Sequence, residues 1–124
     1  MSILQKIFFK ISSTAKDIEE TFDPLLLENQ YKKSRFFSNS ERHIKYEKGN
    51  VQFDFLWNDG HRPVLFLSKN GSNVKTTIYQ NLVKKHAPPN APIGQVSFFI
   101  YTKLDKDKYY NEYAEFISEY IKSA

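Results

Sequence analysis

The chain has 124 residues, of which 40% are hydrophobic and 16% aromatic, with no cysteine and a formal net charge of +4. This length and apolar content fit one domain with its own core, so a single domain over residues 1–124 is predicted and intrinsic disorder is excluded. The lack of cysteine excludes disulfides, zinc–thiolate sites and a cysteine nucleophile. It also favours a cytoplasmic location.

Residues 1–12 are predicted to form an additional N-terminal helix. Lysines interrupt every apolar run, so the segment is not a secretory signal, and no run in the chain approaches the roughly 18–20 apolar residues of a membrane span. We expect the apolar face of this helix to dock on the core of the domain, with contact to a membrane surface as the alternative. That face consists of Ile3, Leu4, Ile7, Phe8 and Ile11.

The rest of the chain predicts an α+β fold in the order α-β-β-β-α-β-α. Residues such as Ile18 and Phe22 recur at helical spacing, whereas Val51, Phe53 and Phe55 alternate as in a half-buried strand. We therefore expect a mostly antiparallel four-stranded sheet packed with helices. The predicted strands are about 42–48, 51–57, 63–68 and 95–102, and the predicted helices are about 15–33, 73–86 and 106–122.

Short polar segments predict the connections between these elements. Gly49-Asn50 indicates a tight turn between the first two strands, because both residues tolerate positive φ. A polar loop is expected at Ser38–Ser40, after the basic segment that ends the first long helix. Asp105 is a candidate N-cap of the last helix.

Asp54 on the second predicted strand and Lys69 at the end of the third have the residue types of a nuclease centre. The element order resembles the core of the PD-(D/E)xK nuclease families, in which an acid on one strand precedes an acid-x-lysine on the next. The resemblance implies two carboxylates that hold a divalent cation and activate water, with Asp54 as the first acid and Lys69 as the lysine. Leu67 stands where the second acid belongs, so the centre lacks a ligand.

Asp54 and Lys69 are accordingly interpreted as polar residues of an ordinary hairpin. Glu20 on the first long helix is the candidate replacement for the missing acid. A degenerate or active nuclease of this type is the second alternative for the function. No catalytic residue, metal ligand or cofactor is predicted.

Charge is distributed unevenly along the chain. Residues 29–103 contain twelve Lys and Arg against four acids, and no acid occurs between 60 and 103. Residues 17–28 contain five acids and no base, and residues 105–119 contain five acids against two lysines. A basic middle flanked by acidic helices favours a protein that selects its partner electrostatically.

The leading hypothesis is a small protein-binding module, such as an immunity protein that inhibits a toxin. Acidic helical residues would bind a basic partner, and the hairpin residues Asp59, His61 and Arg62 would bind an acidic one. The acidic candidates are Glu19, Glu20, Glu112, Glu115 and Glu119.

The alternative is a nucleic-acid-binding protein that uses the basic region 29–103. Its cations would neutralise phosphates, and Tyr46, Trp57 or Tyr101 would stack on bases. The phosphate-binding candidates are Arg42, Lys45, Arg62, Lys69, Lys84 and Lys85.

Overall fold

The computed structural model describes residues 1–58, 61–70 and 105–123, together with the backbone of residues 72–73. The helices among these residues are α1 (Ile3–Ile11), α2 (Ser13–Leu27) and α3 (Lys106–Ser123). The strands are β1 (Lys32–Ser38), β2 (Glu41–Lys48), β3 (Val51–Trp57), β4 (Val64–Lys69) and the two-residue β5 (Ser72–Asn73).

The described strands form one antiparallel sheet in the order β1-β2-β3-β4-β5. Gly49, at φ +59°, and Asn50 form the predicted two-residue turn, so that Lys48 pairs with Val51. The same register places Phe55 between Ile44 and Leu65 across three strands. The predicted fold class, α+β with a mostly antiparallel sheet packed with helices, is confirmed.

The described helices pack on one face of the sheet, which we call the helical face. Phe22 of α2 packs on Phe55 with ring centroids 4.4 Å apart, and Tyr113 of α3 meets the edge of the same ring. Burying these aromatic side chains supplies the hydrophobic stabilisation of the fold, because each large ring removes apolar area from water. Successive side chains of a strand point to opposite faces of the sheet. The face away from the helices, here called the outer face, therefore carries every second side chain of each strand.

The first long helix is shorter than predicted and a strand was missed after it. Helix α2 ends at Leu27, and Gln30, at φ +66°, turns the chain back toward the sheet. Lys32–Ser38 then pairs with β2 along its whole length, so the expected end of the helix at residue 33 is wrong. The strand was missed because cations, Lys33 and Arg35, occupy two of its three positions on the helical face, and only Phe37 is apolar there.

Only part of the elements predicted after β4 lies among the described residues. Asn73, where a helix was expected to begin, lies in β5 instead. The rest of the predicted helix 73–86 and the strand 95–102 lie outside the described residues. Helix α3 agrees with the predicted 106–122, and Asp105 Oδ1 accepts the backbone N–H groups of Asp107 and Lys108, as expected of its N-cap.

Helix α1 docks on the domain, but of the predicted face only Phe8 packs against the core, beside Phe9. Phe9 is buried between the rings of Phe37 and Trp57, and Phe8 contacts Phe37 as well. The aliphatic side chains expected to dock are instead exposed, so that expectation is wrong. The exposed residues are Ile3, Leu4, Ile7 and Ile11.

Candidate protein-binding surface

The acids of α2 divide into two groups with different surroundings. Glu19 and Asp23 point toward β1, where Lys33 Nζ lies 2.5 Å from Glu19 Oε2 and 2.8 Å from Asp23 Oδ2. Arg35 Nη2 donates to the same Glu19 oxygen at 2.6 Å. These half-buried ion pairs fasten β1 to α2. Glu19, predicted to bind a partner, is therefore engaged within the fold.

Tyr46 completes the network from inside the core. Its hydroxyl donates to Asp23 Oδ1 at 2.7 Å, and its ring is fully buried. Burial and then the hydrogen bond to Asp23 raise the pKa of Tyr46 far above its ordinary value, so the phenol remains a donor at physiological pH.

The remaining helical candidates lie on the solvent side of α2 and α3. Glu20, Glu115 and Glu119 are exposed, and Glu112 is half-buried. The ion pair of Glu20 is a surface contact of 3.9 Å to Lys16. Such pairs contribute little, so the charge of Glu20 is available to a partner. Among the described residues, Glu115 and Glu119 form no ion pair.

Three adjoining depressions run along this side of the molecule, and we call them together the helical groove. A cleft of about 840 Å³ at one end shares Asp17, Lys106 and Tyr110 with a channel between α2 and α3. That channel shares Asn111 with a shallow hollow along α3. The acidic residues of the helical groove are Asp17, Glu20, Asp107, Glu115 and Glu119, and its cations are Arg62, Lys106 and Lys122, so acids outnumber cations along it.

The cleft is the aromatic end of the helical groove. Trp57 and Phe8 line it together with the predicted hairpin residues His61 and Arg62. The Arg62 guanidinium lies 5.4 Å from the ring centroid of Tyr109, and the Tyr109 hydroxyl donates to the carbonyl of Pro63. These contacts hold Arg62 and Pro63, which precede β4, against the start of α3.

Charged groups also meet at the mouth of the cleft. Lys106 Nζ donates to Asp17 Oδ2 at 3.2 Å. Burial, followed by the nearby charge of Asp17, raises the pKa of Tyr110 above its ordinary value and keeps its hydroxyl protonated. The cleft thus offers aromatic walls beside both charge signs, a combination that suits an anchoring side chain of a protein partner.

The helical groove brings together some of the predicted partner-binding residues and omits others. His61 and Arg62 reach it at the cleft, Glu20 at the channel, and Glu115 and Glu119 at the hollow. Asp59 lies outside the described residues. Asp107 and Asn111 were missed, although Asp107, Asn111, Glu115 and Glu119 follow one another at four-residue spacing, which places them on one helix face.

The outer face of the sheet holds a second polar group that sequence reasoning missed. The His43 ring, 6% exposed, has its Nδ1 at 3.0 Å from Asp54 Oδ2 and stacks on Phe36. Burial raises the pKa of the Asp54 carboxyl above its usual range, against the lowering effect of His43. Asp54 thus points to the outer face and is half-buried and paired with His43, a partner that the sequence interpretation did not include.

The strand register separates the residues of the suggested nuclease centre. Lys69 pairs with Val51 and so points to the helical face, whereas Asp54 points to the outer face. Glu20 lies on α2, also on the helical side. Within residues 1–58, 61–70 and 105–123, no three His, Asp or Glu side chains cluster closely enough to hold a metal ion.

The described candidates for phosphate binding do not all lie on one surface. Arg42 lies on the helical face, 4.9 Å from the Phe8 ring centroid, whereas Lys45 points to the outer face. Lys84, Lys85 and the stacking candidate Tyr101 lie outside the described residues. The other stacking candidates, Tyr46 and Trp57, are buried core residues.

Comparison of the chain with protein-family models, with curated proteins and with solved structures finds no match. Of the described helices, none has the length and apolar character needed to cross a membrane.

Proposed function

We propose that this protein is a small binding module that holds a basic protein partner in the helical groove. The observation that supports the proposal is the continuity of the groove, because Asp17, Lys106, Tyr110 and Asn111 join its three depressions into one path. An isolated acid on a surface attracts any cation. A path of acids that ends in an aromatic cleft selects a partner with a matching shape.

The two ends of the groove have different roles in this proposal. Glu20, Glu115 and Glu119 attract lysines and arginines of the partner and accelerate its association. The cleft, where Phe8, His61 and Arg62 are the more exposed wall residues, receives one side chain of the partner and contributes most of the affinity, as buried anchors do at protein interfaces.

The function that best suits such a module is inhibition of the partner, in the manner of an immunity protein that covers the basic active site of a toxin in the cytoplasm. Enzymes that act on nucleic acids have basic substrate sites, since those sites bind phosphates. An acidic groove is complementary to a site of that kind. A binding module also requires no catalytic group of its own.

Affinity capture from the native source tests this proposal when two charge-matched variants accompany the wild-type bait. The groove variant carries Glu20→Gln, Glu115→Gln and Glu119→Gln. The control variant carries three substitutions of the same type away from the groove, at Glu28, Glu41 and Glu47. We expect wild-type and control baits to retain the same basic protein, and the groove variant to lose it.

A toxin-like enzyme activity of the captured protein, suppressed by wild type and by the control but not by the groove variant, would complete the evidence for inhibition. Equal loss of the partner in both variants would contradict the role of the groove, because net charge alone would then explain binding. Salt-sensitive retention of oligonucleotides by all three baits would favour the nucleic-acid alternative.

A further inference from the structure

Helix α1 presents a stripe of large aliphatic side chains to solvent. Ile3, Leu4 and Ile11 are 76%, 79% and 75% exposed, and Ile7 between them is 47% exposed. At 100° per residue these four positions cover about 100° of the helix surface. Soluble proteins scatter single exposed aliphatics, whereas a contiguous stripe marks a surface that contacts something else.

The docking of α1 fixes this stripe in place. Phe9 is buried against Phe37 and Trp57, so the opposite side of the helix must face outward. Ser2 and Gln5 form a reciprocal capping box that completes the first turn. The apolar stripe is thus preformed and needs no folding step before it binds.

The charges beside the stripe have one sign. Lys6 and Lys10 follow one another along its border, and α1 contains no acid. The next acid in the sequence, Asp17, is paired with Lys106. An aliphatic stripe bordered by lysines is complementary to acyl chains below a layer of anionic headgroups.

The same charges argue against two other occupants. A second copy docked through α1 would bring four lysines together without an acid from either helix. Residues 60–103 of this chain contain no acid either, so they offer no counter-charge for Lys6 and Lys10. An anionic lipid surface supplies both the apolar volume and the negative charge.

We propose that α1 is a lipid-binding element that lies in the plane of an anionic membrane surface, with Ile3, Leu4, Ile7 and Ile11 among the acyl chains and the two lysines at the headgroups. The helix is about 14 Å long, too short to span a bilayer and long enough to lie along its interface. Binding to the membrane is weak and reversible, because four aliphatic side chains bury less apolar surface among the acyl chains than a full lipid anchor does. Ile11 also lines the cleft of the helical groove, whereas Ile3, Leu4 and Ile7 lie outside it, and the inference does not rest on the proposed function.

Flotation of the full chain with two kinds of vesicle tests the inference. One kind is phosphatidylcholine alone, and the other contains equal parts phosphatidylcholine and phosphatidylglycerol. We expect wild-type protein to float with the anionic vesicles and to remain behind with the neutral ones. Leu4→Glu abolishes flotation, and the pair Lys6→Gln and Lys10→Gln weakens it on the order of tenfold or more.

Matched variants separate these effects from general changes in charge or stability. Leu27→Glu alters another exposed aliphatic residue, and Lys16→Gln with Lys108→Gln removes two exposed lysines elsewhere. We expect both to float like wild type. Absence of flotation with anionic vesicles, equal flotation with neutral ones, or equal losses in the control variants would overturn the inference. A wild-type dimer that Leu4→Glu converts to monomer, without flotation, would assign the stripe to a second copy instead.

Discussion

Asp54 of β3 and His43 of β2 form a hydrogen-bonded pair on the outer face of the sheet, with Nδ1 of the ring 3.1 Å from Oδ1 and 3.0 Å from Oδ2 of the carboxylate. Among the described residues the ring's Nε2 has no hydrogen-bond partner. The carboxylate is therefore the group that compensates the burial of the imidazole.

Removing that carboxylate should destabilise the protein. We expect Asp54→Ala to lower the free energy of unfolding by about 1–3 kcal/mol, because a buried ring nitrogen loses its partner. Urea denaturation monitored by Trp57 fluorescence measures the change. Glu47→Ala is the control on the same face, since Glu47 accepts only a long hydrogen bond of 3.4 Å from Gln52. Equal losses in the two variants would contradict the account.

The raised pKa of Asp54 predicts a pH dependence of stability. Burial makes the folded state hold this proton more tightly than the unfolded chain does. The stabilisation that this proton provides is complete below the pKa of Asp54 in the unfolded chain. It is lost as pH rises through the pKa of Asp54 in the folded state. Asp54→Asn removes this loss, so its stability relative to wild type should increase with pH across that interval and then level off. If the stability of Asp54→Asn relative to wild type instead increased as pH falls, the pKa of Asp54 would have to be lowered in the folded state, which would contradict the prediction.

Substitutions of Glu19 and Glu115 should affect different properties, the first the stability of the fold and the second the binding of the partner. We expect Glu19→Gln to lower the free energy of unfolding by about 1–2 kcal/mol, because Lys33 and Arg35 lose the negative charge of their shared acceptor while the exposed part of Arg35 is screened by solvent. Glu115→Gln should change stability by less than about 0.5 kcal/mol and weaken partner binding. Denaturation and titration of the captured partner measure the two effects. A greater loss of partner binding in Glu19→Gln than in Glu115→Gln would contradict this assignment of roles.

The buried hydroxyl of Tyr46 supplies a test of the core. Tyr46→Phe retains the ring and removes the hydrogen bond to Asp23, so we expect a loss of about 1 kcal/mol in the free energy of unfolding. Tyr120→Phe is the matched control, because Tyr120 contributes ring contacts to Phe53 and Phe116 and should tolerate the change. Unfolding curves of both variants measure the change. An unfolding free energy of Tyr46→Phe equal to that of wild type would show that the hydroxyl does not contribute to the network.

Alternation and turn chemistry in the sequence were sufficient to predict β3, the turn at Gly49 and the capped helix α3. Strand β1 could not be predicted in this way, since Lys33 and Arg35 occupy two of its three core-side positions and are satisfied by acids of α2. Local patterns report apolar burial and do not report cations that find partners on another element.

The polar pair on the outer face had a signal that sequence reasoning did not use. A two-residue turn at 49–50 pairs Lys48 with Val51, and that register makes His43 and Asp54 diagonal neighbours on one face. The helical groove was less accessible, because its continuity depends on how α2 packs beside α3. Some of its residues were nevertheless predicted from the sequence, namely Glu20, His61, Arg62, Glu115 and Glu119, and the four-residue spacing along α3 would have added Asp107 and Asn111.

Site-specific photo-crosslinking in the presence of the captured partner tests the central claim most directly. A crosslinking amino acid at Asn111 lies in the middle of the helical groove, and one at the exposed Ser34 of β1 lies on the outer face of the sheet. The account predicts a crosslinked complex from Asn111 and none from Ser34. A complex from Ser34 with none from Asn111 would contradict the claim that the partner binds in the groove.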